Sequence, residues 1–377
     1  MGDRVDVGLS WRRYDPRVSD QDWREIMYGC ERWLGAERPA SAATLLRAAA
    51  DALPPEARPD FYGEGEVVEQ FEHRLAELLG TEAAVLMPSG TMAQQIALRM
   101  HCAKRSTDTV AFHPTCHLEL HEHGGYAHLH GLKAELVGHR DRLIEIADLE
   151  SLHAPIGALL LELPQREIGG QLPGWDELVA QVEWARDRGA ATHLDGARIW
   201  EAAPYYRRSH DEIAALFDTV YVSLYKGLGG LAGCVLTGPE ELIAQARVWQ
   251  RRHGGTLKGL FPLAAAAQPG LDVLVPMMPR FLEHARELAA ALSELPGVAV
   301  VPDPPHTPLF HVHLSGERAT LQQRALDVAR ERRLWLFHEL GPTPAAGVQK
   351  LELNIGEPAL DIPPTEAAEL FAEILAR

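Results

Sequence analysis

VYVSLYKGLGG, residues 220–230, alternates apolar and small residues up to a single lysine and then turns glycine-rich, which predicts a strand followed by a tight loop. Amphipathic helical segments separate it from other apolar runs of four to eight residues. Those runs also end at proline or glycine: AAVLMPSG (83–90), TVAFHP (109–114), GALLLELP (157–164) and AATHLDG (190–196). Strands that alternate with helices predict βαβ units, and hence an α/β fold with a mostly parallel sheet flanked by helices.

The same pattern predicts the domain organisation. Residues 59–268 carry the strand and helix alternation and are predicted to form the large domain. Residues 1–58, which include Trp11, are predicted to be an N-terminal arm with a helical segment. From residue 269 a long helix leads to several short strands and a final helix, so 269–377 are predicted to be a smaller C-terminal α+β domain.

Composition limits the classes of function. The net charge of −17 argues against a nucleic-acid partner, because phosphate binding requires a basic surface. The four cysteines are scattered without CxxC spacing, so neither a disulfide framework nor a structural zinc site is indicated. No leader segment and no membrane span are recognisable, and we therefore expect a cytoplasmic protein without a membrane partner.

A phosphate site is predicted where the first of these strands meets a helix. Ser89 is a good N-cap residue and Gly90 allows close approach of the backbone. Together with Thr91 they expose amide groups at the positive end of a helix, which suits a phosphate. Plain helix capping without a ligand explains the same residues.

Asp195 and Lys226 are the other candidates, because polar groups just after parallel strands line the ligand crevice of such sheets. Arg198 follows the acid by three positions, and a surface ion pair is the simpler explanation of that pair. A lysine at a strand end can merely extend to solvent. A desolvated lysine can instead be an amine nucleophile toward carbonyl groups.

The spacing of these residues favours the catalytic interpretation. Asp195 and Lys226 are 31 positions apart, about one βαβ unit, which would bring neighbouring strand ends into one crevice. A lysine, an acid and a phosphate cradle are what pyridoxal 5'-phosphate requires. Lys226 would form the Schiff base and Asp195 would keep the pyridine nitrogen protonated.

The segment from about residue 62 to 267 resembles the threonine aldolase and β-eliminating lyase family of fold-type I pyridoxal phosphate enzymes, whose architecture is that of aspartate aminotransferase. The resemblance rests on FYGEGEVVEQFEHRLAELLG, PSGTMAQQIAL, CHLELHEHGG, HLDGARIW and YKGLGGLAG. It implies an amino acid substrate, and a homodimer or homotetramer with shared active sites to which Tyr62 contributes.

The resemblance also implies roles for individual residues. His117 would stack on the cofactor ring, and Arg198 would face the substrate carboxylate or the ring hydroxyl. Ser223 matches a phosphate-binding serine. Lys258 stands near a position usually held by an arginine and is a further candidate for cofactor binding. Glu167 lies in PQREIGGQLPG, where the family normally offers a histidine to the substrate β-hydroxyl.

Departures from the family pattern concentrate around the substrate. The initial Ser-Asp-Thr motif and the C-terminal arginine, both of which bind the substrate carboxylate in threonine aldolases, are absent, and Tyr225 replaces the usual serine before the lysine. We favour retro-aldol cleavage of a β-hydroxy-α-amino acid to glycine and an aldehyde, with Glu167, His117 or a water taking the hydroxyl proton. β-Elimination or dehydration of a serine-like amino acid remains open.

Three readings compete with a pyridoxal phosphate lyase. His113, His117 and His121 are spaced by four, and two of them with a carboxylate could hold zinc. We expect no metal, because Pro114 takes His113 off the helix, and we expect a ring-stacking His117 with solvated neighbours. A nucleotide site in KGLGGLAG lacks the Walker and dinucleotide spacings. A cofactor-binding partner subunit with little activity of its own is the third alternative.

Overall fold

The helices of the larger part of the chain alternate with the strands of one sheet. The computed structural model describes residues 20–376, with side chains from Trp23 onward, so that Trp11 of the predicted arm lies outside the described residues. The helices are α1 (Asp20–Gly29), α2 (Ala42–Asp51), α3 (Glu66–Leu78), α4 (Gly90–Lys104), α5 (His117–Leu120), α6 (Gly125–His130), α7 (Ile146–Glu150), α8 (Trp175–Asp187), α9 (Ile199–Tyr206), α10 (His210–Ala214), α11 (Glu240–Arg252), α12 (Phe261–Val273), α13 (Met278–Ser293), α14 (Arg318–Arg332) and α15 (Pro364–Ala376).

The strands build a large sheet and two smaller ones. They are β1 (Arg32–Trp33), β2 (Ala83–Met87), β3 (Thr109–Phe112), β4 (Lys133–Leu136), β5 (Ala158–Glu162), β6 (Ala191–Asp195), β7 (Thr219–Ser223), β8 (Cys234–Gly238), β9 (Val298–Val301), β10 (Leu309–Ser315), β11 (Leu334–Trp335), β12 (Gly341–Pro342) and β13 (Val348–Asn354). Short 3-10 helices cover Arg166–Ile168, Val275–Met277 and Glu357–Asp361.

The seven-stranded sheet has the order β2-β8-β7-β6-β5-β3-β4. The pairs among β7, β6, β5, β3 and β4 are parallel, and β8 alone runs antiparallel to both of its neighbours. The predicted α/β fold with a mostly parallel sheet is therefore confirmed. Because β2 and β7 both run antiparallel to β8, their carboxyl ends lie at the same edge as those of the other parallel strands.

The chain divides into two compact units. The larger comprises Ala40–Ala285 and Pro305–Phe310. The smaller comprises the residues up to Pro39, Arg286–Pro304 and the chain from His311 onward, and it contains the sheet β12-β13-β10-β9 with two antiparallel pairs. The α+β character predicted for the C-terminal part is confirmed. Domain boundaries after residues 58 and 268 remain a prediction.

Helix α4 is buried on nearly all sides, which fixes its position. Val85, Met87 and Ile96 belong to one apolar cluster between α4 and the β2 side of the sheet. Leu98 and Cys102 belong to a second cluster with residues of β3, β5 and β6. A helix held from two sides in this way is a rigid support for groups at its N-terminus. None of the helices in residues 20–376 combines the length and apolar character needed to cross a bilayer.

Buried histidines make the stability of the fold sensitive to acid. His101 and His193 each hydrogen-bond the Thr219 hydroxyl at 2.8 Å, and burial lowers their pKa values from 6.5 to about 4 and about 3. The unfolded chain therefore binds more protons between pH 6.5 and pH 4, so that stability falls as the pH falls through this window. The pair should remove about 3 kcal/mol between pH 6.5 and 5, because the slope approaches its limit of about 1.4 kcal/mol per group and pH unit only below pH 6.5.

Urea titrations at both pH values measure this loss. In His101→Gln the new amide can still bond Thr219. The slope of the free energy of unfolding against pH should fall by about 1.4 kcal/mol per pH unit in this variant. Equal free energies of unfolding at pH 6.5 and pH 5 would contradict the account.

Candidate active site

The carboxyl ends of three neighbouring strands place the candidate residues side by side. Glu162, the last residue of β5, pairs with Asp195, the last residue of β6, and Asp195 pairs with Tyr221 of β7. Lys226 follows the end of β7 by three residues. The predicted adjacency of the two strand ends is therefore observed, and the larger unit alone supplies it.

Two hydrogen bonds fix the carboxyl group of Asp195, which is 2% exposed. Its Oδ2 accepts from Nε2 of Gln94 at 2.9 Å, and its Oδ1 accepts from the backbone N–H of Ala197 at 3.1 Å. Both oxygens of this buried carboxyl group therefore have a hydrogen-bond donor. A fixed carboxylate of this kind can hold a protonated heterocyclic nitrogen.

Lys226 lies in a loop and not on the strand itself. The sequence pattern suggested a strand through Tyr225, but β7 ends at Ser223. The chain then turns, because Leu224 donates its N–H to Gly233 O and accepts at its carbonyl from Gly230 N. Gly227 has φ +80°, which L-residues with a side chain rarely adopt. The glycines after the lysine are needed for this turn.

The environment of Lys226 favours its neutral amine. Burial lowers the pKa of Lys226, and the positive charges of Arg198 and Arg166 lower it further. The negative charge of Asp195, and that of Glu162 in its ionised form, act in the opposite direction but do not outweigh them. A lowered pKa gives a larger fraction of unprotonated, nucleophilic amine at neutral pH.

The turn from β2 into α4 has the form of an anion cradle. Ser89 caps α4 in an extended conformation without using its side chain on the helix, so Gly90 and Thr91 begin the helix with exposed amide groups. A Cβ on Gly90 would overlap the Tyr221 hydroxyl. Ser223 Oγ is also buried. It partly offsets the rise in the pKa of Tyr221 that burial causes, but none of residues 23–376 offers it a hydrogen bond of full geometry. These groups fit a phosphate.

Replacement of Gly90 tests the cradle. In Gly90→Ala the added methyl meets the Tyr221 ring, so we expect a loss of about 1–3 kcal/mol in stability and a weaker affinity for pyridoxal phosphate. Gly174→Ala is the matched control, because that glycine has φ −59° and nothing within 4 Å of its virtual Cβ. Cofactor titrations followed by absorbance measure both variants, and an unchanged affinity in Gly90→Ala would count against the cradle.

His117 belongs to a buried hydrogen-bonded series. Its Nδ1 lies 3.1 Å from Oε1 of Glu122, whose side chain is 1% exposed. Oε2 of Glu122 accepts from Nε2 of Gln95 at 3.0 Å. Cys116, the residue before His117, has its thiol pKa raised by burial and by the charges of Glu162, Asp195 and Glu122, which places this series beside the strand ends.

A second histidine and carboxylate pair lies next to the first. His121 Nε2 and Glu167 Oε1 are 3.0 Å apart, and the rings of His117 and His121 have centroids 5.1 Å apart. Arg166 lies 3.6 Å from the same oxygen of Glu167. The expectation that the neighbours of His117 are solvated was wrong for His121, because this histidine is paired and largely buried.

His113 is turned away from these histidines. It is buried, its Nδ1 bonds the Thr115 hydroxyl, and its Nε2 lies within hydrogen-bonding distance of the carbonyls of His139 and Arg142. Within residues 23–376 no group of three metal-ligating side chains is assembled. The side chain at position 113 therefore stabilises the loop before α5.

Arg198 is the N-cap residue of α9 and lies next to a buried acid. Its side chain is largely buried, and Nε lies 3.6 Å from Oε1 of Glu201. Its charge acts on both Lys226 and Glu162, which places the guanidinium in the crevice. Lys258 is different, because it lies in the exposed loop before α12 and its carbonyl accepts from the N–H of Tyr62 at 3.1 Å. No interaction of the Lys258 side chain links it to Lys226 among the described residues.

Sequence reasoning missed several residues of the crevice. Glu162 is partly buried, and desolvation together with the charge of Asp195 raises its pKa from 4.5 to about 8. It accepts from Gln165 Nε2 and from the N–H of Arg166. The signal for Glu162 was present, because it ends the run GALLLELP as Asp195 ends the next strand. Gln94 and Gln95 carried no signal beyond their place in α4.

The family model for β-eliminating lyases matches residues 47–315. Among curated proteins, the aldolase vrtJ of Penicillium aethiopicum is 35% identical over 224 residues, which are 57% of this chain and 57% of vrtJ. The low-specificity L-threonine aldolase of Escherichia coli K12 is 31% identical over 242 residues, 62% of this chain and 72% of that protein. The chain thus spans less than two thirds of the length of vrtJ.

Solved structures match over nearly the full length. A Listeria monocytogenes protein provisionally named an L-allo-threonine aldolase is 37% identical and superimposes with a TM-score of 0.89, covering 94% of this chain and 98% of that one. The fold is therefore shared with a protein of similar length.

Proposed function

The chain belongs to the β-eliminating lyase family and is a pyridoxal phosphate-dependent lyase, and from that premise we propose that it cleaves a β-hydroxy-α-amino acid to glycine and an aldehyde. In this retro-aldol reaction the bond between Cα and Cβ breaks, the β-hydroxyl loses its proton, and Cα gains one. Water and oxidants take no part. The aldolase names of vrtJ and of the E. coli relative support this choice.

The observation that carries the proposal is the pairing of β6 with β7, which puts Asp195 and Lys226 in one crevice. Bound pyridoxal phosphate supplies an electron sink for the electron pair released when a bond at the substrate Cα breaks. Lys226 would hold the cofactor through its aldehyde carbon, and Asp195, oriented by Gln94, would keep the ring nitrogen protonated. Ser89, Gly90, Thr91 and Ser223 would bind the phosphate.

The remaining crevice residues would act on the substrate. Arg198 would bind the substrate carboxylate or the ring hydroxyl, since its guanidinium lies near Lys226. His117 would pack against the ring, and either His117 or Glu167 would take the proton of the β-hydroxyl. The two histidine and carboxylate pairs lie side by side, with ring centroids 5.1 Å apart, and such acid–base groups would serve cleavage at a hydroxyl-bearing Cβ.

A product analysis tests the reaction. Purified holoenzyme is incubated with threonine-like and serine-like amino acids, and glycine, aldehyde, pyruvate and ammonia are measured. Glycine and aldehyde in equal amounts are expected. Pyruvate and ammonia would instead indicate β-elimination, in which Lys226 removes the α-proton. Absence of turnover by the isolated protein would favour a partner subunit with little activity of its own.

Glu167 is tested by an isosteric change. In Glu167→Gln the group loses its charge and its ability to accept a proton, so we expect kcat for β-hydroxy amino acids to fall about 10²-fold. Glu119→Gln is the matched control, since Glu119 accepts from the Tyr126 hydroxyl and has no role in the proposed reaction. Steady-state kinetics on both variants decide the matter, and wild-type rates in Glu167→Gln would exclude the proposed hydroxyl contact.

We further propose that the protein acts as a homodimer or homotetramer with shared sites. Tyr62 is 54% exposed at φ +57°, and its neighbours Phe61 and Leu257 are also exposed apolar side chains. Tyr62 and Lys258 are joined by a backbone hydrogen bond. An exposed aromatic and a lysine held together in this way would suit the active site of a second copy, where Lys258 would contact the phosphate.

We place this reaction in the cytoplasm. The cysteines Cys30, Cys102, Cys116 and Cys234 are all free thiols and all buried, which supports a reducing compartment. The proposed partners are a small amino acid substrate and further copies of the chain. Neither a nucleic acid nor a membrane belongs to the proposal.

A further inference from the structure

We propose that Gln95 and Glu122 are positioning residues that fix the tautomer of His117, with the proton on Nδ1 and the lone pair on Nε2. The proposal adds a specific base to the retro-aldol reaction and depends on the proposed function only for its effect on rate. The arrangement itself belongs to the protein without cofactor or substrate.

The direction of the hydrogen bonds determines the tautomer. A carboxylate only accepts, and the NH₂ group of a glutamine side chain only donates. Gln95 Nε2 donates to Glu122 Oε2 at 3.0 Å, which leaves Oε1 of Glu122 as the acceptor that faces His117 Nδ1 at 3.1 Å. Nδ1 must therefore carry the proton of the neutral ring, and Nε2 must be the acceptor.

Burial keeps the series from rearranging. The side chain of Glu122 is 1% exposed and Gln95 is equally buried, whereas His117 is 33% exposed at the open end of the series. Gly125 lies against the Gln95 amide so closely that a Cβ at position 125 would overlap it. Gln95 also belongs to the first turns of α4, the same buried helix on which Gln94 holds Asp195.

The consequence for catalysis is an acceptor at a defined place. With its proton held at Nδ1, His117 can accept the β-hydroxyl proton at Nε2, and Glu122 then stabilises the imidazolium through the same bond. Gln95 and Glu122 therefore act through His117 and not through direct contact with the substrate.

Exchange of the two side-chain types at positions 95 and 122 tests the mechanism. In Glu122→Gln the new amide can turn either its NH₂ group or its oxygen toward Nδ1, because Gln95, whose oxygen has no hydrogen-bond partner among the described residues, can turn its own amide to match. The proton is then no longer held at Nδ1, and the Nε2–H tautomer becomes populated. In the double variant Gln95→Glu with Glu122→Gln, the new carboxylate at position 95 accepts from that NH₂ group. The amide oxygen then faces Nδ1 and the wild-type tautomer returns. All these changes are isosteric.

The primary readout is the ¹⁵N spectrum of the histidine rings in the apoprotein, with His117 assigned by its absence in His117→Asn. We expect the Nδ1–H tautomer in the wild type, a larger share of the Nε2–H tautomer in Glu122→Gln, and the Nδ1–H tautomer again in the double variant. An Nε2–H tautomer in the wild type overturns the proposal even if no variant folds. An Nε2–H tautomer in the double variant, where the carboxylate at position 95 can only accept, also overturns it.

Kinetics of the holoenzyme provide the second readout. We expect kcat/KM to fall about 10²- to 10³-fold in Glu122→Gln and to recover at least about tenfold in the double variant. Equal activity of the two variants would contradict the role in catalysis. If the wild type lacks aldol cleavage but shows the expected tautomers, the proposed function fails while the positioning role stands.

Discussion

Lys226→Ala should abolish catalysis and remove the visible absorbance that borohydride reduction alters. Burial and two neighbouring guanidinium groups lower the pKa of Lys226, which prepares its amine to bond a carbonyl carbon. Without this amine the cofactor can be held only through its phosphate and ring. We therefore expect a loss of roughly 10⁴-fold or more in kcat, because a covalent attachment and a proton-transfer group disappear together.

Lys133→Ala is the control for this prediction. Lys133 begins the edge strand β4, is exposed, and pairs with Asp108 at 2.8 Å. Its removal should leave both the spectrum and the rate at wild-type values. A Lys226→Ala protein that keeps a reducible chromophore would place the covalent attachment at another lysine.

Asp195→Asn should separate cofactor binding from catalysis. The neutral amide cannot hold the ring nitrogen in its protonated form, so the electron sink is weakened at the moment when charge develops, and we expect kcat to fall about 10³-fold or more. The phosphate cradle is unchanged, and much of the cofactor should remain bound. Absorbance titration and steady-state kinetics on the same preparation measure the two effects.

The fold should tolerate this substitution. Gln94 can turn its amide so that its oxygen, which has no hydrogen-bond partner among the described residues, accepts from the new NH₂ group. Asp218→Asn is the matched control at the opposite edge of the same strands, where Asp218 accepts from Thr192. Wild-type turnover in Asp195→Asn would refute the role assigned to Asp195.

The sequence predicted the parallel part of the sheet because local signals and chain order sufficed. Each of the strands β2, β3, β5, β6 and β7 is a short apolar run with its own terminator. Pairing was harder to foresee for β8, which joins β2 to β7 across a long separation in sequence. Strand β4 reads KAEL, and its charged side chains at the sheet edge conceal the apolar pattern.

Part of the candidate site was likewise predictable from the sequence, and part was not. Asp195 and Lys226 were predictable because polar residues directly after buried strands have few structural reasons to be there. Gln94, Gln95 and Glu122 were missed because hydrophobic periodicity treats any polar residue as solvent-facing. Their burial is compensated by hydrogen bonds to groups 27 to 101 positions away, and such partners are visible only in the folded chain.

Peptide mapping of the borohydride-reduced holoenzyme tests the central claim most directly. The reduction converts the bond between the cofactor and its lysine into a stable secondary amine, whose position mass spectrometry identifies. We predict that the phosphopyridoxyl mass is found on Lys226 and on no other lysine, and that it disappears when the cofactor is removed beforehand. Modification at a different lysine, or reduction without any adduct on the chain, would contradict the account.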